Sequence, residues 1–384
     1  MLSGANVALG VAGSIAAVRC VELAHELRRQ GAAVRAVMTE SAQGVIHPWA
    51  MEFATERDVV TEITGRVEHV ELCGREGWAD VLLLAPATAN TVGKVAAAVD
   101  DTPVTTCATT ALGADVPVVV APAMHEPMYD HPGVIEALDR LESWGVDFAD
   151  PRIEEGKAKI AAEEAIVTAT ARAVGPSPLS GREVVVTGGA TREPVDPVRV
   201  LTTRASGRTG RAVARACHAR GADVTLVHDG DDVPYADTVR VETAAETLDA
   251  ALDAATTADA FVSAAAIGDF TVDAADEKLR SGEERTLRLR PTAKVLDEVR
   301  ERRPDLPVVG FKLETASDDD ALVAAARETT ERVGLAFVVA NAAGAMGGAE
   351  TRALLVDGDD AVEYVGDKAG LGARVADRLV DVLV

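Results

Sequence analysis

The sequence predicts an α/β fold in two three-layer units, each with a mostly parallel sheet between helices. Three observations lead there. Apolar residues make up 48% of the 384 residues but aromatic ones only 3%, so the cores must be built from Ala, Val and Leu packed between layers rather than from large rings. An apolar run, a Gly-containing turn, a helical pattern, a Gly and a second apolar run follow one another twice, at the start of each half. Between the halves lies a stretch rich in Pro, Gly and Ser with no periodicity.

In order along the chain, NVALGV (6–11) reads as a strand, Gly13-Ser14 as the turn into a helical pattern through Arg29, and AVRAVMT after Gly31 as the next strand. VLLLAPATAN and VPVVVAPAM are continuous apolar runs, as parallel strands covered on both faces require. The linker falls near residues 172–181, which places one domain at 1–172 and a second at 182–384. EVVVTG (183–188) opens the second, followed by a Gly-rich segment, a helix from Arg208 to Arg220 and the run ADVTLVHD after Gly221. AFVSAAAIGDF, PVVGFKLET and AFVVANAAG are three further apolar runs that end in Gly or polar residues. Sheets of this kind bind ligands at the carboxyl ends of their strands, where Ala87–Asn90 and Ala123–Met128 fall.

Sixty-two acidic against 38 basic side chains give a net charge of -24, which repels phosphate backbones and anionic membranes and argues against a nucleic-acid binder. Only seven of the basic residues are Lys, and with abundant Asp this suggests adaptation to concentrated salt. No apolar run approaches the roughly 18 residues of a membrane span, and no basic flank precedes the first apolar stretch, so a cytoplasmic protein is expected. Cys20, Cys73, Cys107 and Cys217 have no CxxC spacing and read as buried thiols.

Gly13 and Ser14 at a helix start present backbone N–H groups and a hydroxyl to an anion, although Gly and Ser serve equally as ordinary turn and cap residues. The wider pattern is more specific. GVAGSIAAVR (10–19), VMTESA (37–42), His69 in VEHVEL, APATANTVGK (85–94), DTPVTT (101–106) and APAMHEPMY (121–129) together resemble the flavin-dependent cysteine decarboxylases of the phosphopantothenoylcysteine type. The resemblance implies a flavodoxin-like domain holding FMN, with its phosphate near Gly13 and Ser14 and with Thr39, Thr88 and Asn90 in the cradle. It makes His69 the catalytic base, a role that suits an imidazole because its pKa of about 6.5 lets it accept a proton at neutral pH. In that chemistry the flavin oxidises the cysteinyl thiol to a thioaldehyde, CO2 leaves, and the reduced flavin returns the electrons. His125 stands where most members have Asn, a form that looks archaeal, and would bond a substrate carboxylate or amide. The bacterial flap carries a Cys, whereas the corresponding stretch here, Pro151 to Lys159, has none, and leaves Lys157 or Lys159 as a clamp or as solvated charges.

In the second half TGGATREPVDPVR (187–199) and Ser206-Gly207-Arg208-Thr209-Gly210 place Gly and small hydroxyls between a strand and a helix, a nucleotide-phosphate geometry. The loop is too long and too Pro-rich for a dinucleotide fingerprint. With AAAIGDF (264–270), Glu277-Lys278, PTAKVL (291–296), VGFKLET (309–315) and VVAN (338–341), it resembles the phosphopantothenate-cysteine ligase domain, and both halves together resemble the bifunctional enzymes of coenzyme A synthesis. That implies a second Rossmann-like domain that activates 4'-phosphopantothenate with CTP as an acyl-cytidylate, which cysteine then attacks. The resemblance assigns Ala264, Ala265 and Asp269 to the cytidine site, Asp269 also to Mg2+, Lys278 to charge developing on the triphosphate, and Ala293, Lys294, Val295, Leu296 and Phe311 to the base. Thr203 stands where an Asn is usual, and of the basic residues expected after FKLET only Arg327 and Arg332 are near. Decarboxylase domains of this type form trimers with flavin sites at subunit contacts and ligase domains form dimers, so a homo-oligomer up to a dodecamer is implied. A non-catalytic FMN-binding regulator of the same fold and a nicotinamide oxidoreductase are the alternative readings.

Overall fold

The computed structural model describes residues 1–154, 157–282, 284–314, 318–342 and 350–384. The chain divides into two compact units, Met1–Pro176 and Ser177–Val384.

The first unit has strands β1 (Asn6–Val11), β2 (Ala33–Met38), β3 (Val81–Ala87), β4 (Val118–Pro122) and β6 (Asp147–Phe148) in one parallel sheet, in the order β2-β1-β3-β4-β6. This is the flavodoxin-like order, in which the chain switches direction of winding between β1 and β3. Every residue of β3 and β4 is buried, as their unbroken apolar runs require of strands covered on both faces. Helices Cys20–Arg29 and Glu163–Val174 pack together, and Glu68–Cys73, Ala89–Ala96, Pro103–Gly113 and Pro132–Ser143 form a second connected group. Leu82, Leu84 and Val120 meet Leu72, Val104 and Leu141 in the core between sheet and second group. The helix at Pro103 starts where the sequence dictates: Thr102 and Thr105 cap each other's backbone, and Pro at the first helical position loses no hydrogen bond. All four cysteines are buried and free, and burial pushes the Cys20 and Cys217 thiols up to about 12.

One element went unforeseen. The stretch corresponding to the bacterial flap forms strands β7 (Arg152–Glu154) and β8 (Lys157–Lys159), and β8 pairs with β5 (Met124–His125) so that Lys157 lies opposite His125 in the ladder. The tip, Glu155-Gly156, and Thr315 of the FKLET motif lie outside the described residues.

The second unit has β9 (Glu183–Thr187), β12 (Asp223–His228), β13 (Asp237–Arg240), β14 (Ala260–Ser263), β17 (Val308–Glu314), β18 (Phe337–Ala342), β19 (Glu350–Asp357) and β20 (Asp360–Asp367), ordered β13-β12-β9-β14-β17-β18-β19-β20. The first six are parallel, in the Rossmann order with its switch between β9 and β14; β19 and β20 extend the edge as an antiparallel hairpin. Two small antiparallel pairs, β10 (Arg192–Asp196) with β11 (Arg199–Thr202) and β15 (Phe270–Thr271) with β16 (Arg290–Pro291), stand apart from this sheet. Alternate residues of β9 serve opposite faces: Val184 and Val186 meet Val213, Leu371 and Val375 of one helical layer, and Val185 joins the core containing Val299, Leu322 and Ala326 of the other. Among the described residues no helix is long and apolar enough to cross a membrane.

Candidate active sites

In the first unit the carboxyl ends of β1, β2, β3 and β4 converge on a cavity of 700 Å³ lined by Gly13, Ser14, Thr39, Ser41, Thr88, Asn90, Thr102 and His125, among others. Its size suits a cofactor. Four of its hydroxyls are N-caps: Ser14 accepts from the Ala16 N–H, Thr39 from Ala42, Thr88 from Thr91 and Thr102 from Thr105. They draw the N–H ends of four helical turns to one place, where partial positive charge favours an anion. Gly13 is required there, because a Cβ at this position would lie 2.3 Å from the Ser41 hydroxyl oxygen. The donors and the close-packed turn fit a phosphate-bearing cofactor. Lys94, on the same wall, is tied to Asp101 at 2.8 Å.

His69 is not among the residues lining this cavity. It sits in the helix Glu68–Cys73, which Val67 opens with φ of 52°, a left-handed conformation costly for a β-branched residue. Glu68 braces that start by accepting from the Thr64 N–H at 2.7 Å and from its hydroxyl, and these bonds hold the Glu68 carboxyl below the usual range. The His69 Nδ1 is buried and has no hydrogen-bond partner among the described residues.

In the second unit two adjoining cavities, of 610 and 240 Å³, open at the tips of β9, β14 and β17 and share Ala265, Ile267, Asp269, Phe311 and Lys312. Ala264, Thr203, Ser206 and Asn341 line the larger; Ala293, Lys294, Val295, Leu296 and Arg332 line the smaller. The β9 and β14 tips are laced together, with the Ala264 N–H donating to the Thr187 carbonyl at 3.1 Å and the Ala265 N–H to the Thr187 hydroxyl at 3.3 Å. Asp269 is paired with Lys294 at 2.5 Å. The Asn341 Oδ1 is buried without a hydrogen-bond partner among the described residues, an acceptor facing a cleft.

A model of the Flavoprotein family matches residues 1–175, and one of the DNA/pantothenate metabolism flavoprotein C-terminal domain matches residues 179–383. The "Coenzyme A biosynthesis bifunctional protein CoaBC" of Thermococcus kodakarensis is 49% identical over 93% of this chain and 90% of its own length. The chain belongs to the bifunctional coenzyme A biosynthesis family. Members of the same name from Methanocaldococcus jannaschii and Bacillus subtilis are 35% and 33% identical, over 89% and 93% of this chain and 84% and 91% of their own. A solved DNA/pantothenate metabolism flavoprotein from Streptococcus pneumoniae is 18% identical over 53% of this chain and 100% of its own, with a TM-score of 0.48. As a member of this family the chain is an enzyme with phosphopantothenoylcysteine decarboxylase and phosphopantothenate-cysteine ligase activities.

Against the family pattern, the structure sorts the residues that sequence reasoning left ambiguous. Arg332 reaches the smaller ligase cavity and pairs with Asp297 at 2.6 Å, whereas Arg327 donates to the Gly358 and Asp359 carbonyls at the β19–β20 turn and is structural. Lys278 is exposed and lines neither ligase cavity, because its neighbour Leu279 is fastened to Asp196 and Arg199 instead. The Gly-rich segments meet backbone to backbone: a Cβ on Gly210 would lie 2.8 Å from the Gly188 Cα and 3.1 Å from the Thr187 carbonyl oxygen. Gly210→Ala is therefore expected to destabilise the second unit by about 1–3 kcal/mol. A lower urea midpoint with unchanged slope would register it, and an unchanged midpoint would contradict this packing.

Proposed function

We propose that the second unit joins 4'-phosphopantothenate to cysteine at the expense of CTP, and that the first unit, with FMN, decarboxylates the product to 4'-phosphopantetheine. The observation that carries this reading is the pair of strand-tip clefts, one per unit, each lined by the motif residues of one half-reaction.

In the ligase cleft the substrate carboxylate attacks the α-phosphate of CTP, pyrophosphate leaves, and the amine of cysteine displaces CMP from the acyl-cytidylate. Ala293 to Leu296 and Phe311 frame the cytosine, and Asp269, on leaving its pair with Lys294, would help to hold Mg2+, which would screen the phosphate oxygens from the attacking carboxylate. That role suits a lone carboxylate that lines both cavities, since Mg2+ in phosphate chemistry needs only one or two carboxylates beside the nucleotide's own oxygens. Lys278, which lines neither cavity in the free chain, would stabilise charge developing on the leaving pyrophosphate once its loop reaches the bound nucleotide.

In the flavin cleft Gly13 and Ser14 would hold the phosphate of FMN, and Thr39, Thr88 and Asn90 would line its cradle. FMN, when bound, supplies a two-electron acceptor for the cysteinyl thiol and returns those electrons at the end of the turnover. His125 orients the substrate from the cavity wall, under the strand that pairs with it. His69 takes the proton that the cysteinyl thiol gives up as it is oxidised. Since the cavity of its own chain does not include it, His69 is delivered from a neighbouring copy, in an oligomer whose flavin sites lie at subunit contacts.

The test is the product spectrum from 4'-phosphopantothenate, cysteine and CTP by mass spectrometry. With FMN the expected products are CMP, pyrophosphate, CO2 and 4'-phosphopantetheine; without it the phosphopantothenoylcysteine intermediate accumulates. No CMP release would refute the ligase assignment, and CO2 release indifferent to FMN would refute the decarboxylase assignment.

A further inference from the structure

We propose that Lys368, with Arg208 beside it, is a phosphate-binding residue of the ligase cleft. No motif discussed above contains Lys368, which opens the C-terminal helix Lys368–Leu383 after the β20 strand. That helix packs on the helix Arg208–His218 with no room between them: a Cβ on Gly372 would lie 2.5 Å from the Ala212 carbonyl carbon. Gly372 is four residues beyond Lys368, and Ala212 four beyond Arg208, so one helical turn back from this contact brings the two cations to the same cleft.

The charge of the lining is reversed relative to the chain. The whole sequence carries 62 acidic against 38 basic residues, but among the described residues the larger cavity is lined by Arg204, Arg208, Lys312 and Lys368 against Asp269 alone. In the free chain Asp269 is paired with Lys294, and Lys312 with Glu314 at 3.1 Å. Among the described residues neither Arg208 nor Lys368 has a carboxylate partner. Lys368 is half-buried, and burial together with the nearby Arg208 charge holds its ammonium below the usual lysine range. Two like charges held together, one of them partly withdrawn from water, are costly in the free protein and are offset when an anion enters between them. A compact ammonium beside a planar guanidinium suits the oxygens of a phosphate group. Both phosphate sources are chemically available here, the triphosphate of the nucleotide and the phosphate ester of the acid substrate.

The inference rests on the ligase reading of this cleft, and its test separates the two. Calorimetric titration of the full chain with CTP, and steady-state ligation with 4'-phosphopantothenate varied, are compared for wild type, Lys368→Ala, Lys368→Arg and Arg374→Ala. Arg374 lies on the same helix, exposed and outside the cavity lining, and removes the same charge from elsewhere. Lys368→Ala is expected to weaken CTP binding at least tenfold if the triphosphate is the ligand, or to raise KM for 4'-phosphopantothenate at least tenfold if the ester is. Lys368→Arg should recover most of the loss, and Arg374→Ala should change either value less than twofold. Lys368→Ala indistinguishable from wild type in both measurements, or an equal loss in Arg374→Ala, would overturn the proposal. A wild type that neither binds CTP nor forms product would instead count against the ligase reading, and titration with pyrophosphate would then decide Lys368 separately: loss of binding in Lys368→Ala alone supports the phosphate site, and equal binding refutes it.

Discussion

His69→Asn is expected to lower the rate of CO2 release by about 10²–10⁴-fold, the range for loss of a general base, while CTP-dependent ligation stays within twofold of wild type. Asn keeps a polar head that can still hydrogen-bond, but it cannot take up a proton. His69 is not among the residues that line the flavin cavity of its own chain, and Asn is no larger than His, so flavin absorbance should be retained. The same geometry makes the effect separable by subunit. If each site takes its imidazole from a neighbour, co-assembly of His69→Asn chains with Asn90→Ala chains regenerates sites that draw His69 from one copy and Asn90 from the next. In a random mixture about a quarter of the sites are intact in this way. Decarboxylation by His69→Asn at the wild-type rate would remove the proposed base, and a mixture as inactive as its parents would show that each site is built from a single copy.

The strands that position both clefts were legible because burial on both faces leaves no choice of residue: β3 and β4 are apolar throughout and β1 from Val7 onward, and the polar residues that follow them mark their tips. Gly13, Ser14, Thr88 and Asn90 were legible for the same reason, since they come immediately after those tips. Residues that arrive from distant elements were not. Arg327 and Arg332 are five apart on one helix and therefore point to different faces, and only the position of the β19–β20 turn decides which is structural. That hairpin does have a local signal, Asp357-Gly358 between its two strands. Strands β5, β7 and β8 are two or three residues long, too short for periodicity to register, and exist through their pairing. Lys368 had no local signal, because its meaning comes from the helix packed beside it.

The second large effect concerns Asp196, which sequence reasoning read only as part of a loop. Its side chain is buried, 3% exposed for the residue, and accepts from the N–H groups of Val198 and Arg199 at 2.8 Å each, from Leu279 at 3.0 Å, and from the Arg199 guanidinium. Burial pushes the carboxyl up, but these donors together outweigh it and hold the pKa at about 2. Arg199 in turn donates to the Leu279 carbonyl at 3.0 Å, so the residue next to Lys278 is clasped through both its N–H and its C=O. Asp196→Asn replaces one acceptor oxygen with an NH2 group that must face a backbone N–H, and the clasp opens on one side. Since Lys278 is proposed to act on charge that develops only as pyrophosphate leaves, ligation kcat should fall about a hundredfold, with little change in KM for cysteine. If the loss runs through Lys278, Asp196→Asn and Lys278→Gln should be far from additive in kcat; additive losses would make Asp196 merely structural. The pH dependence has a definite sign. A carboxyl depressed in the folded state contributes stability that is complete above its unfolded pKa of about 3.9 and disappears as pH falls through about 2. The stability gap between wild type and Asp196→Asn should therefore be constant from pH 7 to about pH 5 and close below about pH 4, whereas a gap that widened with acid would contradict the clasp.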